Sequence, residues 1–348
     1  MFDSNEGFAV WTTRITILLL LVLSVIVLNS IAPYLFPLYY LYVVIGVALY
    51  FIFSKIAVNI LAVFYKHFYI LTTVFLIVPL LINQVTRGAV RWIPIGALTI
   101  QPAEIIRPFL FIFFAVFFSK NKKNFKTFYQ SVLLLALPVF LILIQPSLGV
   151  AIITTIGYIG LFMASGFNKK TILITILGMF LVIPLLWLIL APYQKLRILT
   201  FLDPFKDPYG AGYNSIQSMI AVGAGGIWGR GLGNGVQTQL SFLPERQTDF
   251  IFASVAEELG IVGAMLLVMG LFYLLFQLAK SMEYAANPTA RIFTFGVFLV
   301  LFTQTVVNIG MNLGILPITG LPLPLVSAGG SSLLGTMILL GIVEGARK

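Results

Sequence analysis

Ten apolar runs, separated mostly by short polar connections, dominate this sequence. They cover approximately residues 15–31, 37–53, 68–83, 104–119, 128–144, 149–167, 171–190, 250–279, 292–312 and 325–345. Most are close to the roughly 20 residues that an α-helix needs to cross a bilayer. Since lipid cannot satisfy backbone N–H and C=O groups, such runs can span a membrane only as helices. The sequence therefore predicts an all-α polytopic membrane protein with about ten transmembrane helices, as a single integral membrane domain over residues 1–348.

The composition agrees with this prediction and excludes several classes of site. Hydrophobic residues make up 60% of the 348 residues and charged residues only 9%, whereas a soluble domain carries about 25% charged residues. The chain has no cysteine and a single histidine, His67, which excludes disulfides, thiol nucleophiles, structural zinc sites and Ser-His-Asp triads. Any acid–base chemistry must therefore come from carboxylates, from Tyr or from Lys.

The basic residues predict the orientation of the chain in the membrane. Arg14, the connections after every second run and the C-terminal Arg347 and Lys348 place 13 of the 21 Lys and Arg residues on one side. Since basic residues accumulate in cytoplasmic connections, we expect both termini to be cytoplasmic. The net charge of +10 thus reflects topology rather than nucleic-acid binding. The N-terminus lacks a basic start and a small-residue cleavage site, which favours a retained first span over a signal peptide.

Two connections on the opposite, outer side are long enough to carry a function. They are the loops at about 84–102 and 191–249, the second between the seventh and eighth runs. Long loops in compact proteins are usually functional or disordered. The second loop keeps apolar residues such as Tyr213, Trp228 and Phe242, so we expect it to be ordered.

Charged residues open the fourth run. Glu104 and Arg107 are three residues apart, so on one helix they share a face and can neutralise each other. Gln101 and Pro102 precede them, and Pro102 suits a helix start. A charged residue within a membrane span is a functional candidate by default. A structural ion pair and a direct functional role therefore both remain open.

Four carboxylates precede or enter the eighth run, at Glu245, Asp249, Glu257 and Glu258. Asp249 lies at the membrane face and is followed at once by Phe-Ile-Phe, so partial desolvation would make it a stronger base when ionised. The alternative is a helix N-cap, because Thr248 and Asp249 are both good helix starters. Glu257 and Glu258 cannot both face lipid, so we expect at least one to point into the bundle or to find a cation.

Two further groups are rich in glycine and proline. Residues 210–235 contain several glycines and Arg230, and backbone amides in such a run can cradle a phosphate. Tight turns explain the run equally well, because it has no preceding strand and no P-loop Lys. Three prolines within 317–324 predict a rigid, extended loop. The same group begins with Asn308-Ile-Gly-Met-Asn-Leu-Gly314 and ends with Gly329-Gly-Ser-Ser332. The latter allows backbones to approach closely, so packing explains this group well.

Taken in order, these groups resemble the SEDS family of shape, elongation, division and sporulation proteins, of which RodA and FtsW are the best known. The resemblance covers nearly the whole chain. The chain departs from the family at four positions, which are Ala103 (usually Ser), Arg107 (usually Lys), Ser147 (usually Asp) and Ala328 (usually Tyr). Because Ser147 replaces an acid, a metal or polar role at that position is in doubt. The matching stretches are Arg91-Trp-Ile-Pro, Gln101-Pro-Ala-Glu104, Gly212-Tyr-Asn-Ser-Ile-Gln217-Ser, Leu243-Pro-Glu245, Thr248-Asp-Phe-Ile-Phe252, Glu257-Glu-Leu-Gly260, Thr319-Gly-Leu-Pro-Leu-Pro324 and Gly329-Gly-Ser-Ser332.

The resemblance implies a peptidoglycan glycosyltransferase that polymerises lipid II into β-1,4 glycan strands, with inversion, at the outer face of the bacterial inner membrane. It implies Asp249 as the catalytic carboxylate, for which we infer the role of general base. The implied partners are lipid II, a class B penicillin-binding transpeptidase and other proteins of the elongation or division complex, and no nucleic acid. A divalent cation, Mg²⁺ or Mn²⁺, is an option, and no organic cofactor is expected. The candidates for substrate binding are Arg91, Trp92, Gln101, Arg230, Glu245 and Arg246, and those for an ion pair or support of the site are Glu104, Arg107, Glu257, Glu258, Ser331 and Ser332.

Two other classes of function compete with this interpretation. A flippase or transporter of the lipid-linked precursor would need a polar path through the bundle, yet the apolar runs hold few charges away from the outer face. A non-catalytic scaffold would have no need for Asp249 among apolar residues. A glycosyltransferase is therefore favoured, with the flippase as the main alternative.

Overall fold

A computed structural model describes residues 4–82, 90–96, 98–168 and 192–348, together with some positions from 170 to 178. Its described part is helical except for one hairpin and the connections. Two single 3₁₀ turns cover Pro33–Leu35 and Pro204–Lys206. The elements are α1 (Ser4–Ile31), α2 (Leu38–Lys55), α3 (Val58–Val63), α4 (Tyr65–Ile82), β1 (Ile93–Ile95), β2 (Leu98–Ile100), α5 (Pro102–Ile105), α6 (Arg107–Lys120), α7 (Phe125–Ile144), α8 (Leu148–Ala164), α9 (Pro192–Leu202), α10 (Tyr213–Ala224), α11 (Val236–Gln239), α12 (Ile251–Ser281), α13 (Pro288–Asn312) and α14 (Gly330–Gly345).

The lengths and hydropathies of these helices confirm a polytopic all-α membrane protein. Six helices in the described residues are long and apolar enough to cross a bilayer, and α8 and α14 are shorter apolar helices. The count of ten spans stays a prediction, because the seventh run at 171–190 lies largely outside the described residues. The six long helices are α1 (from Gly7), α2, α4, α7, α12 and α13.

Polar contacts tie the helix ends together at two opposite ends of the bundle. At one end, Arg14 of α1 forms an ion pair with Glu344 of α14 at 2.6 Å, and Lys348 donates to the carbonyl of Ser54. At the other end, Ser30 of α1 donates to Glu258 of α12 at 2.8 Å. The chain therefore runs along α1 from the end that holds the C-terminus to the end that holds the start of α12.

Close helix packing forms the core. Helix α14 packs along α2, and α13 packs along α8. A Cβ at Gly335 of α14 would lie only 2.5 Å from the carbonyl oxygen of Glu104, so the glycine allows α14 to approach α5. Small residues at helix contacts serve this purpose in membrane bundles, where dispersion rather than the hydrophobic effect drives association.

Three of the predicted runs differ from the observed helices. The fourth is divided at Ile106 into α5 and α6, because Pro108 has no N–H to continue the helical hydrogen bonds. The eighth runs to Ser281 but is broken at Gly260, which has φ +68° and ψ −168°. The tenth was predicted from residue 325, yet α14 begins at Gly330 because Leu325 has φ +64° and the chain turns there.

The described parts of the two long connections are ordered. In the first, β1 and β2 pair antiparallel, with Ile93 opposite Ile100. The hydroxyl of Tyr42 in α2 binds both backbone groups of Thr99, at 2.9 Å each, and fastens this hairpin to the bundle. The second contains α9, α10 and α11, as expected for a loop that keeps its apolar residues.

Candidate active site

Asp249 lies in a tight turn just before α12. Glu245 begins the turn with φ +51°, and its carbonyl accepts from the amides of Thr248 and Phe250 at 3.1 and 3.2 Å. Its carboxylate accepts from the Thr248 hydroxyl at 2.7 Å. Asp249 itself is half-buried. The turn thus brings two carboxylate residues, Glu245 and Asp249, to the start of the broken helix.

The start of α12 is capped from another helix. Phe250 occupies the N-cap position and makes no side-chain capping bond, so neither Thr248 nor Asp249 holds the N-cap position that the sequence left open for them. The amide of Ala253, in the first turn, donates instead to Oδ1 of Asn312 in α13 at 2.9 Å. One of the free amides at the helix start is therefore satisfied by a side chain of α13.

Two carboxamides of α13 also hold the backbone of Asp249. The Nδ2 groups of Asn308 and Asn312 each donate to the Asp249 carbonyl at 3.0 Å. Both asparagine side chains are fully buried. The sequence assigned this region only to packing, and its one signal was a pair of amides four residues apart within an apolar run.

A second group joins residues far apart in the chain. Ser331 accepts from the amide of Gln101 at 2.8 Å and donates to the carbonyl of Thr99 at 3.3 Å. The side chain of Gln101 donates to Ser147 at 3.2 Å. Ser332 is half-buried beside Gly329. The structure thus brings the predicted residues Gln101 and Ser331 together.

Arg91 and Trp92 lie next to this second group. The Arg91 guanidinium is 5.9 Å from the centre of the Trp92 ring, within the range of a cation–π contact. Its Nη1 lies 3.5 Å from the carbonyl of Pro146. Both side chains are half-buried, so the cation is held at the edge of the bundle near Ser147.

Glu104 and Arg107 form the predicted ion pair. Nη2 of Arg107 donates to Oε2 of Glu104 at 2.8 Å, and their side chains are only 5% and 4% exposed. The pair therefore closes the break between α5 and α6. Its burial is compatible with a structural role and leaves a direct functional role as a prediction.

The carboxylates of Glu257 and Glu258 bind the start of α11 and the Gly-rich loop, by which we mean residues 225–235 between α10 and α11. Glu257 accepts from the amides of Gln237 and Thr238, at the start of α11, at 2.8 and 2.9 Å. Glu258 accepts from Ser30 and from the amide of Gly233 at 2.8 and 3.1 Å. Both carboxylates point into protein, as expected for at least one of them. Neither forms an ion pair with a described residue.

Where α12 is broken at Gly260, its backbone also binds the Gly-rich loop. The freed carbonyls of Glu257 and Glu258 accept from the amides of Arg230 and Gly231 at 2.9 and 3.0 Å. Because these amides and that of Gly233 already donate to α12, these three amides favour the tight-turn interpretation of this run, and a phosphate cradle elsewhere in it stays a prediction. The glycines form turns on α12.

Arg230 and Arg246, two arginines of the second outer loop, have partly fixed side chains. Nε of Arg230 donates to the carbonyl of Ala224 at 2.9 Å, at an exposed position. Nε of Arg246 donates to the carbonyl of Ile31, at the end of α1, at 3.1 Å. Arg246 is half-buried in the same turn as Asp249. Of the two, Arg246 is the nearer to Asp249 along the chain.

The described residues do not fit a resident metal site. They contain no group of three or more His, Asp or Glu side chains that could hold an ion. A cation bound mainly by substrate phosphates needs fewer protein ligands, but nothing in the described part of the chain supplies a dedicated cage.

Three kinds of comparison place this architecture among known proteins. The profile of a family of cell cycle proteins that covers FtsW, RodA and SpoVE matches residues 7–348. The peptidoglycan glycosyltransferase MrdB of Escherichia coli strain K12 is 39% identical over 281 residues, which are 80% of this chain and 76% of that protein. The probable peptidoglycan glycosyltransferase FtsW of Wigglesworthia glossinidia brevipalpis is 36% identical over 311 residues, or 87% of this chain and 81% of its own.

Solved structures agree with the sequence relatives. A chain from a peptidoglycan synthase complex, described for its structural coordination of polymerization and crosslinking, matches with a TM-score of 0.81 and 31% identity over 97% of both chains. The rod shape determining protein RodA of Thermus thermophilus matches with a TM-score of 0.72 and 25% identity, over 97% of this chain and 96% of its own.

Proposed function

The chain belongs to the family of FtsW, RodA and SpoVE cell cycle proteins and is a multi-pass membrane peptidoglycan glycosyltransferase, and we propose that Asp249 is the general base of its reaction. The names of the relatives support a glycosyltransferase over a flippase as the main function. The observation that carries the role of Asp249 is its place in the turn before α12, half-buried, with its carbonyl bound by two buried carboxamides.

The substrate in this proposal is lipid II, a disaccharide-peptide linked to polyprenyl pyrophosphate. Asp249 takes the proton of the acceptor sugar 4-hydroxyl as that oxygen attacks the anomeric carbon of the donor. The bond between this carbon and the pyrophosphate oxygen breaks, and polyprenyl pyrophosphate leaves with the electron pair. Attack opposite the α-linked leaving group gives a β-1,4 bond with inversion. Such help from a base is worth about 10²- to 10⁴-fold in rate.

Basic side chains near the turn are the candidates for holding the pyrophosphate. Arg246 is in the turn itself, Arg230 is on the loop that binds α12, and Arg91 is beside Trp92. Guanidinium groups suit phosphate oxygens because they donate two parallel hydrogen bonds. Since Gln101 contacts Ser147 and Ser331, we assign it to the wall of the substrate site together with Trp92 and Glu245.

A divalent cation, Mg²⁺ or Mn²⁺, is part of the proposal only as a companion of the substrate. The described residues offer no three-ligand cage, so such an ion would be bound chiefly by pyrophosphate oxygens. No step of the reaction above depends on it.

We further propose the bacterial inner membrane as the location, with both termini cytoplasmic and the reaction on the outer side. The chain has no recognisable Ser or Cys nucleophile for crosslinking peptides, so its polymer must be crosslinked by another protein. We propose a class B penicillin-binding transpeptidase, docked through α12, α13 and the outer loops, among other elongation or division proteins. A structural relative within a polymerising and crosslinking complex supports this partner.

The test is polymerisation of lipid II by the purified Asp249→Asn variant. Asn keeps the size of the side chain but cannot take the proton, so we expect polymer formation to fall at least about 100-fold while the thermal midpoint stays near that of the parent. Asp203→Asn, the same change at an exposed position of the outer loop, should polymerise normally. A rate for Asp249→Asn above roughly a tenth of the parental rate would exclude Asp249, and Glu245 would become the next candidate.

A further inference from the structure

Three consecutive residues before α12 have backbone carbonyls that accept hydrogen bonds from the end of α13 or from the loop between α13 and α14. The carbonyl of Gln247 accepts from the amide of Ala328 at 2.8 Å, and that of Thr248 accepts from the hydroxyl of Ser327 at 2.6 Å. The carbonyl of Asp249 accepts from the two carboxamides of α13. The position of this turn is therefore set by α13 and the loop after it as well as by α12, whose Ser254 hydroxyl donates to the carbonyl of Arg246 at 3.0 Å.

The amide groups of both carboxamides have all their donor hydrogens in use. Nδ2 of Asn308 donates to the carbonyls of Asp249 and Leu321. Nδ2 of Asn312 donates to the carbonyls of Asp249 and Asn308, while its Oδ1 accepts from the amide of Ala253. Both side chains are 0% exposed. A buried amide with every donor used is costly to move, since each lost bond leaves an unsatisfied polar group.

We infer that Asn308 and Asn312 are positioning residues. By fixing the backbone of Asp249, they hold its carboxylate where it can accept the proton of the acceptor hydroxyl. This inference rests on the proposed role of Asp249 as the base. Neither asparagine needs to touch substrate, because each acts on the main chain of Asp249. A misplacement of about 1 Å can cost about 100-fold in rate, so loss of either donor should affect the chemical step rather than substrate binding.

The experiment compares Asn308→Leu and Asn312→Leu with a matched control on the same helix. Leu keeps the approximate volume and removes the donors. Gln304→Leu is the control, because Gln304 is also a buried carboxamide and lies one turn before Asn308. With purified protein and lipid II, we expect kcat at least about tenfold lower in both variants, with KM for lipid II within about twofold. Gln304→Leu should keep the parental kcat.

Each result has a defined consequence. Parental kcat in both asparagine variants, or a rise in KM alone, would overturn the inference. If the Leu variants do not fold, Ser327→Ala decides, because it keeps both asparagines and removes the donor to Thr248, together with the acceptor for the Leu323 amide. A kcat at least about threefold lower at constant KM then supports positioning, and an unchanged kcat overturns it.

The assay also separates this inference from the proposed function. If Asp249→Asn polymerises freely, the role of Asp249 as base fails. If Asp249→Asn is inactive while the asparagine variants are normal, only the positioning role fails.

Discussion

At the scale of single residues, the buried pair of Glu104 and Arg107 allows a direct test of structural against functional charge. Removing one partner leaves the other charged and buried, which costs about 3–5 kcal/mol. We expect Glu104→Ala and Arg107→Ala to lose folded yield in detergent. The swap of Glu104→Arg with Arg107→Glu should recover part of it, because it restores opposite charges at the same two positions. Equal losses in the swap and the single variants would indicate a direct role with substrate.

The residues of the candidate site differ in how far the sequence could predict them. Asp249 stood out because a carboxylate before Phe-Ile-Phe is unusual. Asn308 and Asn312 did not, since the carbonyl that both bind is 59 and 63 residues away. Arg14 was taken only as a topology signal, although Glu344, its partner 330 residues later, is a lone charge in the last apolar run and could have indicated a pair.

At the scale of elements, the break of α12 at Gly260 connects the membrane helix to the Gly-rich loop. A Cβ at Gly260 would lie 2.3 Å from the amide nitrogen of Gly229 and 2.4 Å from the carbonyl oxygen of Ile227. Its φ of +68° is also strained for any side chain. We expect Gly260→Ala to cost more than about 1 kcal/mol and to lower the thermal midpoint in detergent.

Gly223→Ala is the control for that experiment. Gly223 lies within α10, and a Cβ there would meet nothing within 4 Å. Alanine in a helix interior is more favourable than glycine by about 1 kcal/mol, so this variant should melt at or above the parental temperature. Equal midpoints for the two variants would mean that the break at Gly260 is not required.

Hydrophobic runs predicted which elements exist better than where each one ends. The eighth run was predicted as one continuous span, and one glycine gave no reason to divide it. The groups that stabilise the break, the backbone at residues 226–231, come from about 30 residues earlier. Similarly, α14 begins at Gly330 because Ser327 binds Thr248 and Leu323, contacts that a hydropathy pattern does not contain.

At the scale of the whole molecule, the two ends of the bundle differ in character. Asp249, Glu257 and Glu258 lie at the end where α12 begins. Lys348 and the pair of Arg14 with Glu344 lie at the other. The fold class could be predicted from sequence because the bilayer permits only helices of a given length. Which helix ends lie together could not be predicted from the sequence, since this depends on contacts between α1, α2 and α14.

The orientation predicted from the basic residues can be tested with single cysteines, since the natural chain has none. Tyr209 lies in the second long connection and is 93% exposed, and Lys122 is exposed between α6 and α7. If basic connections are cytoplasmic, a membrane-impermeant maleimide should label Tyr209→Cys but not Lys122→Cys in intact spheroplasts, and should label both after permeabilisation. Labelling of Lys122→Cys in intact spheroplasts would reverse the topology. Asp249 would then face the cytoplasm, where a polymer made by the protein could not join the wall.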